Sequence, residues 1–418
     1  MSKNGLGIYI HVPFCRSKCP YCDFYSVIPT KNGGETQKNA FTSSICSEID
    51  TFFVQNPGKR SDMYDNNNKN TIFIGGGTPN TLSFVQICTI ISRIVRNISD
   101  NSQKNAQKLA DLYENIPAKQ YFSEITLECN PFLYEKAEKI EFCTKIREAG
   151  VNRLSIGAQS FDNDVLKSIG RLHKAEDVIN TVEAAREAGF ENISLDLIFG
   201  IPGQSMDTWI DTVKKGVALP ITHISLYSLE FMEGTHFTKL LDEGKMQETA
   251  PEIDREMYHR AIEILKNAGF EQYEISNFAK RGYCSQHNMK YWNMDEYVGF
   301  GPSAHSLLIG DDGIARRYFN VADLAAYIAN PLEYECYEEL TMMDQMSEFA
   351  FTALRMNRGI DLGEFKERFG KDFFEAFPNA AKELEEFANT ECVELTDDNL
   401  KLTVKGFDIS NKIFELFV

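Results

Sequence analysis

Three cysteines near the N-terminus have the clearest potential for chemistry. Cys15, Cys19 and Cys22 follow an apolar segment with the spacing Cys-x3-Cys-x2-Cys. Thiolates are the usual ligands of iron–sulfur clusters, which normally take four of them. Three protein ligands would leave one iron open to chelate another molecule, as an open position does in catalytic zinc sites. The basic neighbours Arg16 and Lys18 favour the thiolate form.

Two other interpretations of these cysteines stay open on spacing alone. A structural zinc site would need a fourth ligand such as His11, and the three cysteines could also be unrelated. The chain has ten cysteines, and the remaining seven are scattered singly. A reducing compartment with one clustered metal site therefore fits better than a disulfide framework.

Further polar residues follow the apolar segments that come later in the chain. Gly75-Gly76-Gly77-Thr78 follows one, and glycines there let the backbone approach a ligand. The other candidates end or closely follow apolar segments, and they are Glu128, Gln159, Arg171 and Asp196. Each carboxylate alone could equally make a structural hydrogen bond, because burying an unpaired charge is costly.

The elements that must position these residues alternate between strand and helix over the first 230 residues. Near-continuous apolar runs predict six strands of a parallel sheet covered on both faces. These strands are Gly7–Val12, Thr71–Ile74, Glu124–Glu128, Arg153–Gly157, Ile193–Phe199 and His223–Ser228. Polar stretches at Asn56–Asn70 and Asn97–Lys119 are interpreted as surface insertions. Six βα units favour an open barrel, whose strand ends build the active site.

The pattern changes after residue 235, which predicts three domains. The barrel spans 1–235, an extension spans 236–330, and a C-terminal domain spans 331–418. The extension should hold a helix at Glu252–Ala268 and a strand at Tyr273–Phe278. Helices followed by a hairpin around Thr396–Asn399 predict a winged-helix-like α+β domain. Acidic residues in that wing disfavour DNA and leave a packing or partner-docking role.

Composition and charge set the remaining limits. The chain has 418 residues, 43% hydrophobic and 25% charged, which is ordinary globular composition. A net charge of −18 disfavours nucleic acid and anionic lipid as partners. No apolar run is long enough to span a bilayer, and no signal-peptide segment precedes the first strand. We therefore expect a cytoplasmic protein.

The cysteine motif after a first strand resembles the signature of the radical SAM superfamily. That resemblance implies a 4Fe–4S cluster on Cys15, Cys19 and Cys22, whose open iron binds S-adenosylmethionine (SAM). Reduction then cleaves SAM to methionine and a 5′-deoxyadenosyl radical. The strand-end residues resemble the SAM contacts of the oxygen-independent coproporphyrinogen oxidase group. The implied SAM-binding residues are Tyr9, Tyr21, Gly76, Gly77, Thr78, Glu128, Gln159, Arg171 and Asp196.

Within that group, the sequence is more similar to the HemW-type haem chaperones than to the oxidase. The oxidase carries a fourth cysteine where this chain has Phe24, and it has a longer segment ahead of the cluster. The pattern His-Asn-x-x-Tyr-Trp at His287–Trp292 marks the chaperones. An imidazole can ligate haem iron, so His287 and His305 are the candidate haem ligands. From the residues alone, a loop-anchoring role for His287 stays the alternative.

The resemblance leaves three hypotheses for function. In the first, the protein binds haem and delivers it to acceptor apoproteins, such as respiratory proteins of a membrane, and an electron donor serves the cluster. In the second, it is a coproporphyrinogen III oxidase of porphyrin biosynthesis, acting by oxidative decarboxylation. In the third, it is a radical SAM methyltransferase or another enzyme on the same scaffold. Phe24 and the short N-terminus favour the first hypothesis. Under that hypothesis we assign no catalytic residue.

Overall fold

A computed structural model gives the fold over residues 5–30, 33–65, 69–99, 118–131, 135–310 and 312–418. The predicted insertion at 97–119 lies mostly outside these ranges, as do residues 66–68 of the other insertion. The described part of the predicted insertion at Asn56–Asn70 is mainly a helix, Pro57–Asp65. No helix in the described ranges has the length and hydropathy to cross a membrane.

Six parallel strands form the centre of the molecule, in chain order across one sheet. They are β1 (Gly7–Val12), β2 (Asn70–Gly76), β3 (Phe122–Cys129), β4 (Arg153–Gln159), β5 (Asn192–Phe199) and β6 (His223–Ser228). The helices between them are α1 (Gly34–Gln55), α2 (Pro57–Asp65), α3 (Phe84–Ile98), α4 (Lys136–Glu148), α5 (Asn163–Ser168), α6 (Ala175–Glu187) and α7 (Met206–Ala218). The prediction of six βα units in an incomplete barrel is confirmed.

The helices cover the sheet because each presents apolar residues to the strands. The strands are almost wholly buried, and one continuous core joins them to the helices, including Ile8, Ile45, Ile91 and Val182. Ser83 caps α3 and accepts a hydrogen bond from the backbone N–H of Gln86, which fixes where that helix begins. Parallel strands bring their carboxyl ends to one edge, where the predicted site residues follow them.

The sheet does not stop at the six parallel strands. The next elements are α8 (His236–Asp242), α9 (Pro251–Asn267), β7 (Glu271–Glu274), β8 (Asn277–Ala279), α10 (Gln286–Trp292), β9 (Tyr297–Phe300), β10 (His305–Ile309), β11 (Ala315–Asn320), α11 (Leu324–Ala329) and β12 (Tyr334–Leu340). Strand β9 pairs parallel with β1, whereas β10–β12 continue antiparallel, and β8 and β7 extend the other side. Within the described ranges the sheet has twelve strands, with β12 and β7 at the edges.

The prediction of one continuous strand at Tyr273–Phe278 is wrong. The segment forms two antiparallel strands, β7 and β8, which meet around Ile275 and Ser276. Ser276 donates its backbone N–H to Glu274 at 3.1 Å, which holds the turn. An apolar run this short does not show whether a turn interrupts it.

A separate core organises the C-terminal part of the chain. Its elements are α12 (Met342–Leu354), β13 (Ile360–Asp361), α13 (Leu362–Phe369), α14 (Phe373–Ala376), α15 (Ala380–Asn389), β14 (Val393–Leu395), β15 (Asn399–Leu402), α16 (Val404–Phe407) and α17 (Ser410–Phe414). Strands β14 and β15 form the predicted hairpin, and β13 joins them. The winged-helix-like arrangement is therefore present. The boundaries at 235 and 330 stay a prediction, although the large sheet runs on to Leu340.

Candidate functional site

A cavity of about 1080 Å³ opens at the carboxyl ends of the parallel strands. The three cysteines and most of the other predicted site residues line it. Those present are Cys15, Cys19, Cys22, Tyr21, Gly76, Gly77, Thr78, Glu128, Gln159, Arg171 and Asp196. They come from the loop after β1, from the ends of β2 to β5 and, for Arg171, from the segment after α5, so the topology brings distant residues together.

The three cysteines lie in the loop after β1, which hereafter is called the cysteine loop (residues 15–24). Their thiols are partly exposed, and burial raises the pKa of Cys22, with Cys19 and Cys15 close enough to add to that effect. Among the described residues, no three His, Cys, Asp or Glu side chains converge closely enough to hold a single metal ion. Three thiols on one loop are the donor set that a cubane uses, because it presents three separate irons to three thiolates.

A chain of polar contacts ties the cysteine loop to the strand ends. Cys15 Sγ lies 3.4 Å from Thr78 Oγ1, which accepts a 3.0 Å hydrogen bond from the Asn130 side-chain amide. Arg171 donates to Asn130 Oδ1 and, at 3.7 Å, to Cys19 Sγ. Sequence reasoning missed Asn130, whose only signal is its place two residues after Glu128.

Two buried carboxyl groups form the inner wall of the cavity. Glu128 Oε2 accepts a 3.2 Å hydrogen bond from the Gly76 backbone, and Asp196 accepts from the Ser155 hydroxyl at 3.2 Å. Burial raises the pKa of Glu128 to about 8, and the negative charge of Asp196 adds to the shift. Burial also raises the pKa of Asp196, against the opposing charge of Arg153. Two desolvated carboxylates are chemically suited to a ligand that carries positive charge.

The glycines at the end of β2, Gly75–Gly77, allow close packing behind this wall. Gly76 and Gly77 also line the cavity. A Cβ at Gly75 would lie 2.8 Å from Glu128 Oε2, and one at Gly77 would lie 2.8 Å from the backbone oxygen of Phe14. Gly76 has φ +104°, which favours glycine. The run therefore lets Glu128 and the cysteine loop approach β2 closely.

Gln159 ends β4 in a strained backbone conformation. Its φ is +62°, in the left-handed region that side chains other than glycine rarely adopt. It lines the cavity beside Arg171, which donates to the Gly157 carbonyl at 2.9 Å. Strain of this kind concentrates at binding sites, where the surrounding structure holds it.

Tyr9 is the member of the predicted SAM-binding set that is not among the residues lining the cavity. Its ring lies 6.2 Å from the ring of Phe73, its register partner on β2. Its hydroxyl is 3.2 Å from His11 Nδ1. Burial raises its pKa, and the charge of Glu128 contributes. Tyr9 thus lies next to Glu128 of the inner wall, and its contact with SAM stays a prediction.

His287 lies away from the cavity, and its role as a haem ligand stays a prediction. Its side chain is 0% exposed, and its two ring nitrogens lie 2.8 Å from Thr71 Oγ1 and 2.8 Å from the Tyr291 hydroxyl. Burial lowers its pKa to about 3. Helix α10 contacts β2 and β3, and a Cβ at Gly7 would lie 3.4 Å from the His287 ring, so the helix packs at the amino ends of the strands. Both nitrogens are occupied, so haem iron cannot bind there without rearrangement.

His305 lies elsewhere, exposed at the start of β10. Its ring stacks on Phe319 at 4.8 Å between centroids, and partial burial lowers its pKa, with Arg317 contributing. It is outside the residues that line the cavity. The structure therefore does not bring the two predicted haem ligands together, but it leaves His305 accessible.

The C-terminal part of the chain supplies one wall that the sequence did not predict. Residues 407–412 line the cavity. Asp408 Oδ2 lies 2.9 Å from His259 Nε2, and Asp408 Oδ1 lies 3.7 Å from Arg255, so this wall is joined to α9. No motif in the sequence indicated it, because the contact depends on how the two cores pack.

The chain is similar to known proteins along most of its length. Residues 9–216 match the Radical SAM superfamily, and residues 340–409 match the HemN C-terminal domain. The heme chaperone HemW of Bacillus subtilis is 34% identical over 98% of this chain and 98% of that protein. The heme chaperone HemW of Escherichia coli is 28% identical over 99% of this chain and 98% of its own length.

A solved structure supports the fold. Coproporphyrinogen III oxidase (HemN) from Escherichia coli, described as a radical SAM enzyme, superposes with a TM-score of 0.74. The match covers 99% of this chain and 90% of that one at 21% identity. At this identity the likeness concerns the fold and leaves the reaction open.

Proposed function

The chain belongs to the HemW family of radical SAM proteins, and from that premise we propose that it is a haem chaperone, which binds haem and delivers it to haem-accepting proteins. The observation that carries the proposal is similarity along the whole chain, 34% over 98% of both proteins, to a heme chaperone of Bacillus subtilis. That similarity includes the cavity and the C-terminal domain.

Membership of the superfamily implies a 4Fe–4S cluster and SAM. We assign the cluster to Cys15, Cys19 and Cys22. The partly exposed thiols that line one cavity support this assignment. When bound, the cluster and SAM together supply one-electron reductive chemistry.

We assign SAM to the inner wall of the cavity. The two buried carboxyl groups of Glu128 and Asp196 support this placement, because SAM carries an ammonium and a sulfonium. Burial and mutual repulsion make these carboxylates costly without a cation. Arg171 and Asn130 would hold the cysteine loop at a fixed distance from that wall.

For haem, we propose His305 as the imidazole that approaches the iron. Its exposure and its stacking on Phe319 support this choice over His287, whose nitrogens are both engaged. Acceptor proteins of a respiratory membrane and an electron donor for the cluster complete the set of proposed partners. All ten cysteines are free, which supports a reducing compartment such as the cytoplasm.

The test is a haem titration beside an oxidase assay on the same preparation. Protein with a reconstituted cluster should bind one haem per chain, followed by the Soret absorption. With SAM and a reductant it should leave coproporphyrinogen III unchanged, because a carrier has no need to place a propionate at the site of radical formation. Robust decarboxylation together with the absence of saturable haem binding would restore the oxidase hypothesis.

A further inference from the structure

Four large apolar side chains stand exposed around the mouth of the cavity. Phe24 and Leu172 are each 59% exposed, Tyr227 is 43% exposed and Met232 is 39% exposed. All four line the cavity, and together they are called the apolar rim. Single apolar residues are ordinary on a protein surface, whereas several around one opening typically mark a binding site.

The rim is built on segments that are packed against one another. Phe24 belongs to the cysteine loop, Leu172 follows α5, and Tyr227 and Met232 lie at the end of β6 and beyond it. A small core that includes Ile169, Ile198 and Phe237 lies among these segments, and Tyr21 of the cysteine loop packs against it.

Close backbone contacts join the same segments. Phe237 donates its backbone N–H to the carbonyl of Pro20 at 3.0 Å. Gly170, two residues before Leu172, packs so closely that a Cβ there would lie 2.7 Å from the Pro20 ring. The rim is therefore ordered before any ligand arrives, which lowers the entropic cost of binding.

The cavity divides into a polar interior and this apolar mouth. Glu128, Asp196 and Gln159 lie at the strand ends, whereas Phe24, Leu172 and Met232 lie in the loops beyond them, and Tyr227 at the end of β6 borders both parts. Pockets for one small ligand usually measure roughly 300–1,000 Å³, and this cavity measures about 1080 Å³. A ligand in the interior would fill most of this space, so a second, more apolar ligand would lie across the mouth and largely outside the cavity.

The charges beside the rim indicate the class of that second ligand. Arg16 and Lys18 line the same cavity. Lys18 donates to the backbone carbonyl of Phe24 and, at 3.4 Å, to the Ser26 hydroxyl, so its ammonium lies next to the rim. Apolar faces with cations at their edge suit a flat apolar ring that carries carboxylates.

We propose that the apolar rim is the docking surface for the porphyrin ring of haem, with the propionates toward Arg16 and Lys18. This inference rests on the proposed function and adds the place and the contacts of the bound haem. It also gives Phe24 a positive role, as an apolar contact for the porphyrin. Phe24 is followed by Tyr25, whose carbonyl lies 3.0 Å from His11 Nε2. Gly301, four residues before His305, packs against His11 so closely that a Cβ there would lie 2.4 Å from the His11 carbonyl oxygen.

The experiment compares haem affinity among variants with exposed substitutions, which should fold. Phe24→Ser and Leu172→Ser are made singly and together, in protein with a reconstituted cluster. Val54→Ser is the matched control, because Val54 is 77% exposed on α1 and does not line the cavity. Iron content and SAM affinity are measured in every variant to show that the interior of the cavity is intact.

We expect each rim substitution to weaken haem binding about tenfold and the double variant to weaken it roughly a hundredfold. The control should match the wild type. If the wild type binds haem and the double variant binds it equally well, the rim inference is wrong while the proposed function stands. An equal loss in Val54→Ser would also overturn the inference, because the binding would then be non-specific.

Two further outcomes separate the inference from its premise. If the double variant keeps its haem affinity but transfers haem to apomyoglobin more slowly, the rim contacts an acceptor protein and the inference is wrong. If the wild type itself does not bind haem, the proposed function fails first and the inference fails with it.

Discussion

Residues that match family motifs lie at both ends of the barrel: at its mouth, where the strands have their carboxyl ends, and at its floor, where they have their amino ends. The two sets differ in exposure and in hydrogen bonding. At the mouth, the predicted cysteines and strand-end residues line one open cavity. At the floor, His287 of α10 is buried and hydrogen-bonded to the half-buried Tyr291, and Trp292 packs against the C-terminal core. A motif match therefore identifies related proteins, whereas exposure and hydrogen-bond partners decide whether a residue can bind a ligand.

The floor motif has a structural purpose that its chemistry alone did not indicate. Glu124 accepts backbone hydrogen bonds from Gln286 and His287 at 2.9 and 3.1 Å, which fixes the start of α10. The guanidinium of Arg355 lies 4.5 Å from the Trp292 ring, which links the motif to α12 and its following turn. The helix thus fastens the barrel to the C-terminal domain.

The largest effect should come from removing a ligand at the mouth. Cys19→Ala should abolish most of the iron content and the broad visible absorption, because two thiolates hold a cubane poorly. Cys336→Ala is the matched control, since Cys336 is exposed on β12 outside the cavity. We expect about four irons per chain in the control and in the wild type. Full iron content in Cys19→Ala would show that the ligand assignment is wrong.

At the floor of the barrel, we expect a substitution to lower the stability of the fold and to leave haem binding unchanged. His287→Ala should lower the free energy of unfolding by about 2–4 kcal/mol, because it leaves a cavity and deprives buried Thr71 of its partner. Urea unfolding of the ligand-free protein measures this change. His305→Ala, at an exposed site, should change stability by less than about 0.5 kcal/mol.

For the haem spectra of the same two variants, we expect the larger change in His305→Ala. His305→Ala should shift the Soret band of the haem complex, and His287→Ala should leave it in place once the protein is folded. A shift of the Soret band that appears only in His287→Ala would indicate that His287 is the haem ligand. It would contradict the difference proposed between the mouth and the floor.

A smaller effect is expected at the inner wall. Asp196→Ala should weaken SAM binding roughly ten- to hundredfold, since a hydrogen bond to a charged group contributes about 1.5–3 kcal/mol. Isothermal calorimetry on the reconstituted protein measures the affinity. Glu48→Gln provides a control with a buried carboxyl outside the cavity, where Glu48 accepts from Gly301 at 3.0 Å. Equal SAM affinity in folded Asp196→Ala and wild type would make Asp196 a structural residue only.

The last prediction concerns the pH dependence of the stability of the ligand-free protein. Burial raises the pKa of Glu128 to about 8, so the folded state holds a proton that the unfolded chain releases near pH 4.5. Stability from this group is therefore present at low pH and falls as pH rises through the folded pKa, by at most about 1.4 kcal/mol per pH unit. Glu128→Gln should reduce the slope of unfolding free energy between about pH 5 and pH 8. An unchanged slope would show that Glu128 is ionised in the folded protein.

Much of the mouth could be predicted from the sequence, and the reasons are physical. Buried parallel strands give continuous apolar runs, and their carboxyl ends meet at one edge, so the sequence alone places Glu128 and Asp196 at that edge. The C-terminal wall at residues 407–412 could not be predicted, because it depends on packing between distant segments. Exposure is likewise a property of the folded chain, since His287 and His305 have the same chemistry in the sequence.

The most direct test of the central claim follows haem as it leaves the protein. Haem-loaded protein with an intact cluster is mixed with increasing concentrations of an apo-haem protein, and the Soret band of the acceptor is recorded over time. A chaperone that hands haem over directly should transfer it at a rate that rises with acceptor concentration. A rate that is independent of acceptor concentration and equal to spontaneous haem release would contradict the account.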